Sequence, residues 1–382
     1  MAKKRLLFYF VCNFLIFVSL SFVNAQLIPF IKFIGYSGIQ QGVLLAGCAV
    51  VAIAGQFLFG YLCDRFHMIK NFFLLGFFFY IAAATGMLWV DNALFLYHFI
   101  LISFSGGMVK VLMGLNETWM LEADAAHYGI LRAGGALGLS VGSILIGYLV
   151  LSISYQDLKW YLLIIGIING VLLFFCKDVK KEKRGCLKED IRNLIQNHQY
   201  VLLVITLLFI YIVGTADQYT VVDKLLTIGG NARDVGWKWC IQSFAEIPIF
   251  FAGNWLVKKV SPIKLLMFGI VMYSIKFFFY AFFDTPLLLI GCSILQLVTL
   301  PIILLASKFL IVELSDQRVA SSAQMFAMAI YIGVSALFTP LIASWLVESV
   351  GQDVTIYMFA GLCLIPFILS VVLRKNVEST HK

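Results

Sequence analysis

The sequence predicts an all-α membrane protein of twelve transmembrane helices, built as two six-helix pseudo-repeats. Three observations predict it: the composition, the spacing of the apolar runs, and the placement of the basic residues. The 382 residues are 62% hydrophobic and only 13% charged. A soluble domain is about half apolar and about a quarter charged. So little charge cannot coat so much apolar surface against water. In lipid no coat is needed, because the solvent is itself apolar.

A spanning helix needs about 20 mostly apolar residues. Runs of that length lie at 6–31, 39–62, 71–90, 94–118, 130–153, 159–176, 199–223, 235–257, 264–283, 287–312, 320–347 and 354–373. Each should be helical, since unpaired backbone cannot face hydrocarbon. The links are short and polar, as at Asp91-Asn92, Asp284-Thr285-Pro286 and Gly351-Gln352-Asp353. The first run follows Lys3-Lys4-Arg5 and contains Val23-Asn24-Ala25, which together mimic a secretory signal with its cleavage site. The run outlasts a signal's apolar core and resumes at Leu27-Ile28-Pro29-Phe30. It is therefore read as an uncleaved first helix.

Lys and Arg collect in alternate links, as the positive-inside rule requires. With the N-terminus in the cytoplasm, the inner segments hold Lys3, Lys4, Arg5, Arg65, Lys70, Arg132, a cluster from Lys177 to Arg192, Lys258, Lys259, Lys264, Arg318, Arg374, Lys375 and Lys382. The outer links hold little beyond Lys159, Lys224 and Arg233. An even helix count places both termini inside. The small loops suit a bacterial inner membrane. The same placement excludes nucleic acid as a partner despite the net charge of +8, because the charges form no single surface. The eight cysteines show no CxxC pair and no ligand spacing with His, so neither a metal nor another cofactor is expected. There is no GxxxxGK[ST] loop for an ATP-driven pump, and no HExxH or catalytic triad pattern for an enzyme.

The polar stretch 177–198 divides the chain. It leaves an N-terminal six-helix bundle at 1–176 and a C-terminal one at 199–382. The halves echo one another: Gly60-Tyr61-Leu62-Cys63-Asp64-Arg65 closes the second span and Gly253-Asn254-Trp255-Leu256-Val257-Lys258 closes the eighth, 193 residues on.

Gly60-x-x-x-Asp64-Arg65, with Lys70 beyond, resembles the loop signature between the second and third helices of the major facilitator superfamily. The resemblance implies a cytoplasmic gate. Gly60 would let its helix pack closely, Asp64 would face the positive end of a helix in the other half, and Arg65 would hold the loop at the anionic leaflet. This chain has His67 where the family often has Gly. The fifth span opens Tyr128-Gly129-x-x-Arg132-x-x-Gly135-x-x-Gly138. The eighth carries Ala245-Glu246-Ile247-Pro248, the ninth Tyr273-x-x-Lys276, and the tenth and eleventh Glu313-Leu314 and Ala323-Gln324. In series these are similar to the lactose, phenylpropionate and nucleoside permease group of proton symporters. The group's substrate-binding Arg would fall on Arg132 and its acidic partner on Glu117. A His–Glu pair like that of lactose permease is absent from the tenth span.

Charges inside the runs carry information of their own. One at a helix centre costs about 2.5–3.5 kcal/mol on insertion scales, so it usually faces the bundle interior. The candidates are Lys110, Glu117, Asp217, Glu246, Lys276 and Lys308. Ser103, Gly106, Lys110, Gly114 and Glu117 share one helical face, which suits either a cavity wall or small-residue packing. Glu117 and Arg132 lie at similar depth and could bind or gate a solute, or form a static bridge. Glu246 and Lys276 are paired as the proton-coupling couple, the alternative being a permanent structural pair. Asp217 is placed in an outer vestibule, and a pair with Lys308 is rejected on depth. Asn13, Gln242 and Gln296 are further polar groups able to hold a solute.

The function expected from these residues is secondary active transport: proton symport of a small polar organic solute such as a sugar, oligosaccharide, nucleoside or aromatic acid. The competing readings are a proton-driven efflux antiporter, which in this superfamily often carries a Gly-Pro pair on the fifth helix, and a non-transporting membrane sensor. The expected partners are the solute, protons and the bilayer, with the chain acting as a monomer.

Overall fold

The structure, a computed structural model, describes residues 3–124, 127–178, 194–315 and 320–380, and among them there is no strand. The helices are α1 (Lys3–Ile34), α2 (Gly38–Phe66), α3 (Lys70–Met87), α4 (Phe95–Ala123), α5 (Tyr128–Ser152), α6 (Tyr155–Phe174), α7 (His198–Thr227), α8 (Ala232–Lys259), α9 (Pro262–Phe282), α10 (Pro286–Cys292), α11 (Leu300–Glu313), α12 (Ala320–Val350), α13 (Gln352–Leu362) and α14 (Leu364–Thr380). A 3₁₀ stretch, Ser293–Val298, joins α10 to α11. The first run is one continuous helix through Val23-Asn24-Ala25, with Val23 and Ala25 buried.

Eleven rods among the described residues are long and apolar enough to cross a membrane, counting Pro286–Glu313 and Gln352–Lys375 as single rods. The chain is thus a multi-pass membrane protein. The helix α8, where the eighth span was expected, is not among the eleven. Its 28 residues include Arg233, Asp234, Lys238, Glu246, Lys258 and Lys259. The tenth and twelfth expected spans are each broken in two, at Ser293–Val298 and at Cys363.

The ends follow local chemistry. Ser37 caps α2 in a full capping box with Gln40, and Ser154 caps α6. Pro262 and Pro286 open α9 and α10, where a missing N–H costs nothing. His67 ends α2 at φ 52°, the one non-glycine residue with positive φ among those described. That left-handed geometry is the physical reason a glycine is favoured at this point.

The chain packs as two compact units: Met1–Arg184 with Leu225–Ile247, and Gly185–Lys224 with Pro248–Lys382. In the first, close-packed small residues form the seams, since apolar burial gives no drive between helices in lipid. Gly134, Gly135, Gly138 and Gly142 of α5 press on α1; a methyl added at Gly138 would strike the Phe14 carbonyl. Gly106 and Gly107 of α4 meet Cys48 and Val51 of α2. The first half of α8 docks in this unit. Ser140 Oγ donates to the Cys240 carbonyl at 3.1 Å, Gln26 Nε2 to the Ala232 carbonyl at 3.0 Å, and Gly236 lies against the Ser143 carbonyl. In the second unit α9 is the central strut. Gly269 rests on Ile303 of α11, and Ser274 Oγ donates to the Ala360 carbonyl of α13 at 2.9 Å.

Large apolar side chains are exposed around both units, Leu96, Phe174 and Leu287 among them, as a lipid-facing surface demands. Lysines stack on tryptophans near helix ends: Lys159 sits 4.1 Å from the Trp89 ring centre and Lys259 4.8 Å from that of Trp255. Such amphipathic pairs suit the headgroup level.

Candidate functional site

Polar side chains gather in two places, one in each unit. In the first unit the focus is Arg132, on the opening turn of α5. Its Nε lies 3.2 Å from Glu117 Oε1 near the end of α4. The guanidinium also lies 5.9 Å from the ring centre of Phe17, and Glu246 of α8 lies within its electrostatic reach. One cation therefore answers two carboxylates from different helices. Both members of the bridge remain partly open, at 21% for Arg132 and 40% for Glu117. Such a bridge can exchange a carboxylate for a solute hydroxyl at low cost.

Beside it runs an amide chain. Asn116 Nδ2 donates to Asn13 Oδ1 at 2.7 Å, and Asn13 Nδ2 donates to the Leu131 carbonyl, the residue before Arg132. Asn116 Oδ1 is buried and has no partner among the described residues. The network thus ties α1 and α4 to the backbone that carries Arg132. Asn116 was not singled out from the sequence; its place next to Glu117 on an apolar helix was the available signal.

The small-residue face of α4 divides in two. Ser103 and Gly106 are packed on Gly47 and Cys48 of α2, so that part is a helix seam. A methyl at Gly114 would meet nothing within 4 Å, and Lys110 and Glu117 are each only half-buried. The open part is the length from Lys110 to Glu117.

The second unit holds a drier cluster. Lys276 Nζ of α9 lies 2.5 Å from Asp217 Oδ2 of α7 and donates to Gln296 Oε1 at 2.7 Å. Thr299 Oγ1 donates to the same Gln296 oxygen at 3.3 Å. The ammonium also lies 5.5 and 5.3 Å from the ring centres of Tyr273 and Tyr280. Lys276 and Asp217 are 0% and 1% exposed. A lone charge so deep would be untenable, and an ammonium shared by a carboxylate and an amide oxygen is the paired form that can persist.

This corrects two expectations. Lys276 is held by Asp217, whereas the sequence paired it with Glu246, which acts on Arg132. Asp217 is a buried ion-pair partner and not a vestibule residue. Gln296 stands beside Lys276 because the 3₁₀ stretch turns it there. Gln242 is buried on α8. Lys224, counted as an outer-link charge, is 1% exposed; its Nζ lies 2.7 Å from Asp353, 3.2 Å from Asp284 and 2.7 Å from the Ala281 carbonyl. Lys238 was missed. It is fully buried on α8, 4.6 Å from the Trp239 ring centre, and lay too near a helix start to be distinguished from a snorkelling lysine.

The expected gate loop is only partly as read. Arg65 is exposed, donates to the Tyr61 hydroxyl at 3.0 Å and stacks on Tyr61 and Phe66. A methyl at Gly60 would meet nothing within 4 Å, so Gly60 is not a close-packing glycine; Gly55, against Val111, is. The Asp64 side chain lies outside the described residues, as do Arg318 and most of the central basic cluster.

Comparison with known proteins gives a consistent picture. Residues 6–358 match the MFS_1 like family. Maltose permease of Geobacillus stearothermophilus is 22% identical, with 90% of this chain and 88% of that protein covered. Sucrose permease of Escherichia coli is 23% identical, with 92% and 89% covered. Among solved structures, nucleoside transporter NupG, as its D323A mutant, superposes with a TM-score of 0.84 at 13% identity, covering 96% of this chain and 99% of that one.

Proposed function

The chain belongs to the MFS_1 like family and is a membrane transporter of the major facilitator type, and from that premise we propose that it is a proton-coupled symporter of a sugar or similar hydroxyl-rich solute. Two relatives named as sugar permeases, and a structural neighbour named as a nucleoside transporter, support a polar, hydroxylated solute. The observation that carries the coupling is the buried Asp217–Lys276–Gln296 cluster. Protonation of the carboxylate frees the ammonium, and the ammonium then needs another acceptor. That acceptor is a solute or a rearranged helix, and either links the proton to transport.

Arg132, Glu117 and Asn13 form the solute-binding side of the first unit, with Lys110 and Gln242 as further contacts. Glu246 relays a proton to the field of Arg132 as Asp217 does to Lys276. The bridge Arg132–Glu117 opens to take solute hydroxyls between guanidinium and carboxylate. Alternating access of two six-helix halves follows the parallel-repeat plan. With the termini cytoplasmic, the seam of α5 with the first half of α8 lies on the outer side. Its close Gly and Ser contacts part when the outer side opens. The loop of Gly60, Asp64 and Arg65 serves as the inner gate, and the chain works as a monomer in a bacterial inner membrane.

The test is external pH in weakly buffered, de-energised cells expressing the protein. Maltose, sucrose, nucleosides and an aromatic acid are added in turn. Alkalinisation on adding one solute, lost in E246Q and in D217N, is the expected result. Proton-driven extrusion of solute from energised cells, with no alkalinisation by any solute, would replace symport with antiport.

A further inference from the structure

Where the chain leaves α6 it is tied down on two sides. Cys176 Sγ lies 3.8 Å from Cys12 Sγ of α1, and both side chains are buried, at 3% and 1%. Nearly one turn earlier on α1, the Tyr9 hydroxyl accepts from the Lys177 N–H and donates to the Lys177 carbonyl, each at 3.1 Å. On the other side Asp178 Oδ1 accepts from the N–H groups of Ile69 and Lys70, each at 3.0 Å, at the start of α3. Lys70 Nζ reaches back to the Phe174 carbonyl at 2.5 Å. The transport reading uses none of these contacts and neither thiol.

A cysteine packed in apolar surroundings is inert, and one beside cations is not. The hydrogen bond with Cys12, then the charges of Lys70 and Arg5, hold the Cys176 thiol below its usual range against the opposing effect of burial. Cys176 lies two residues beyond the end of α6, outside the membrane-spanning length.

We propose that Cys12 and Cys176 form a redox site, closed to a disulfide by hydrogen peroxide and reopened by small thiols. The Cys176 thiolate attacks one peroxide oxygen and breaks the O–O bond. The departing hydroxide takes a proton and leaves as water, and the sulfur becomes a sulfenic acid. Cys12 attacks that sulfur, the S–S bond forms, and the displaced hydroxide leaves as water with the Cys12 proton. Two thiols lose two electrons, and one peroxide becomes two waters. Two small thiols reverse the change by exchange and leave as their own disulfide. Closure moves the sulfurs together by less than about 2 Å, to a bond of about 2.05 Å. The bond fastens α1 covalently to the segment that Tyr9, Lys70 and Asp178 already hold.

The experiment uses the full chain in native membranes, titrated with hydrogen peroxide, then denatured, alkylated and mapped by peptide mass. The expected result is one cross-linked peptide pair joining Cys12 and Cys176. It forms before any other thiol is lost, is removed by glutathione, and is absent from C12S and C176S. The mapping is done on the unaltered protein, so it stands even where a serine variant folds poorly. Recovery of both residues as alkylated thiols, or Cys176 carried on to sulfinic acid beside a free Cys12, would overturn the proposal.

Discussion

Lys276 and Asp217 each sit about four residues past the midpoint of their helices, at the same depth. The sequence reading compared the depth of Asp217 only with Lys308, and gave Lys276 to the acid on the neighbouring helix. Helix membership was legible, and so was the placing of Lys276 and Gln296 inside the bundle; which acid meets the lysine depends on tertiary packing. Because the pair is fully buried, stranding one partner should cost about 3–5 kcal/mol. D217N and K276M are each expected to lower the unfolding temperature in detergent markedly, and D217N/K276M to recover most of the loss. Arg132–Glu117 belongs to the opposite regime. It is partly exposed, so E117Q should change stability by under about 1 kcal/mol while solute uptake falls. Uptake retained in a stable E117Q protein would remove Glu117 from the solute site.

Helix seams were less legible than helices, because a glycine in a sequence does not say which neighbour approaches it. Gly138 and Gly114 look alike in the chain and differ in space. A methyl at Gly138 meets the Phe14 backbone, and one at Gly114 meets nothing. G138A should therefore cost about 1–3 kcal/mol through overpacking. G114A and G60A should be neutral or stabilising by up to about 1 kcal/mol, from helix propensity alone. Thermal unfolding of the three variants side by side checks the ordering, and a G60A as damaging as G138A would restore the close-packing role first read for Gly60. The broken tenth span was not legible either. Ser293, Gln296 and Thr299 interrupt the apolar run and Pro301 opens the next helix, but apolar periodicity does not separate an α turn from a 3₁₀ turn.

For the whole molecule, the all-helical plan and the order of the rods were legible because lipid imposes helices on every long apolar run, whereas twelve spans were expected and eleven among the described residues are long and apolar enough to cross. Helix α8 stretched that rule, since Lys238 is buried within it while Lys258 and Lys259 are exposed at its end. Orientation is open to direct measurement. With both termini inside, Asn92→Cys and Thr285→Cys should react with an impermeant maleimide added to intact cells, and Met68→Cys and Ser261→Cys only after lysis; the reverse pattern would invert the topology. The 3₁₀ stretch beside Lys276 has one more consequence at this scale. A 3₁₀ residue rises about 2.0 Å against about 1.5 Å in an α-helix, so its six residues lengthen the rod by about 3 Å. Rewinding them would shorten the rod by that amount and swing Gln296 around the axis, away from the ammonium. Thickness of the surrounding hydrocarbon would then bias which winding prevails. Reconstitution in lipids of graded acyl-chain length should shift transport rate with bilayer thickness, making the membrane itself a regulator of the buried charge.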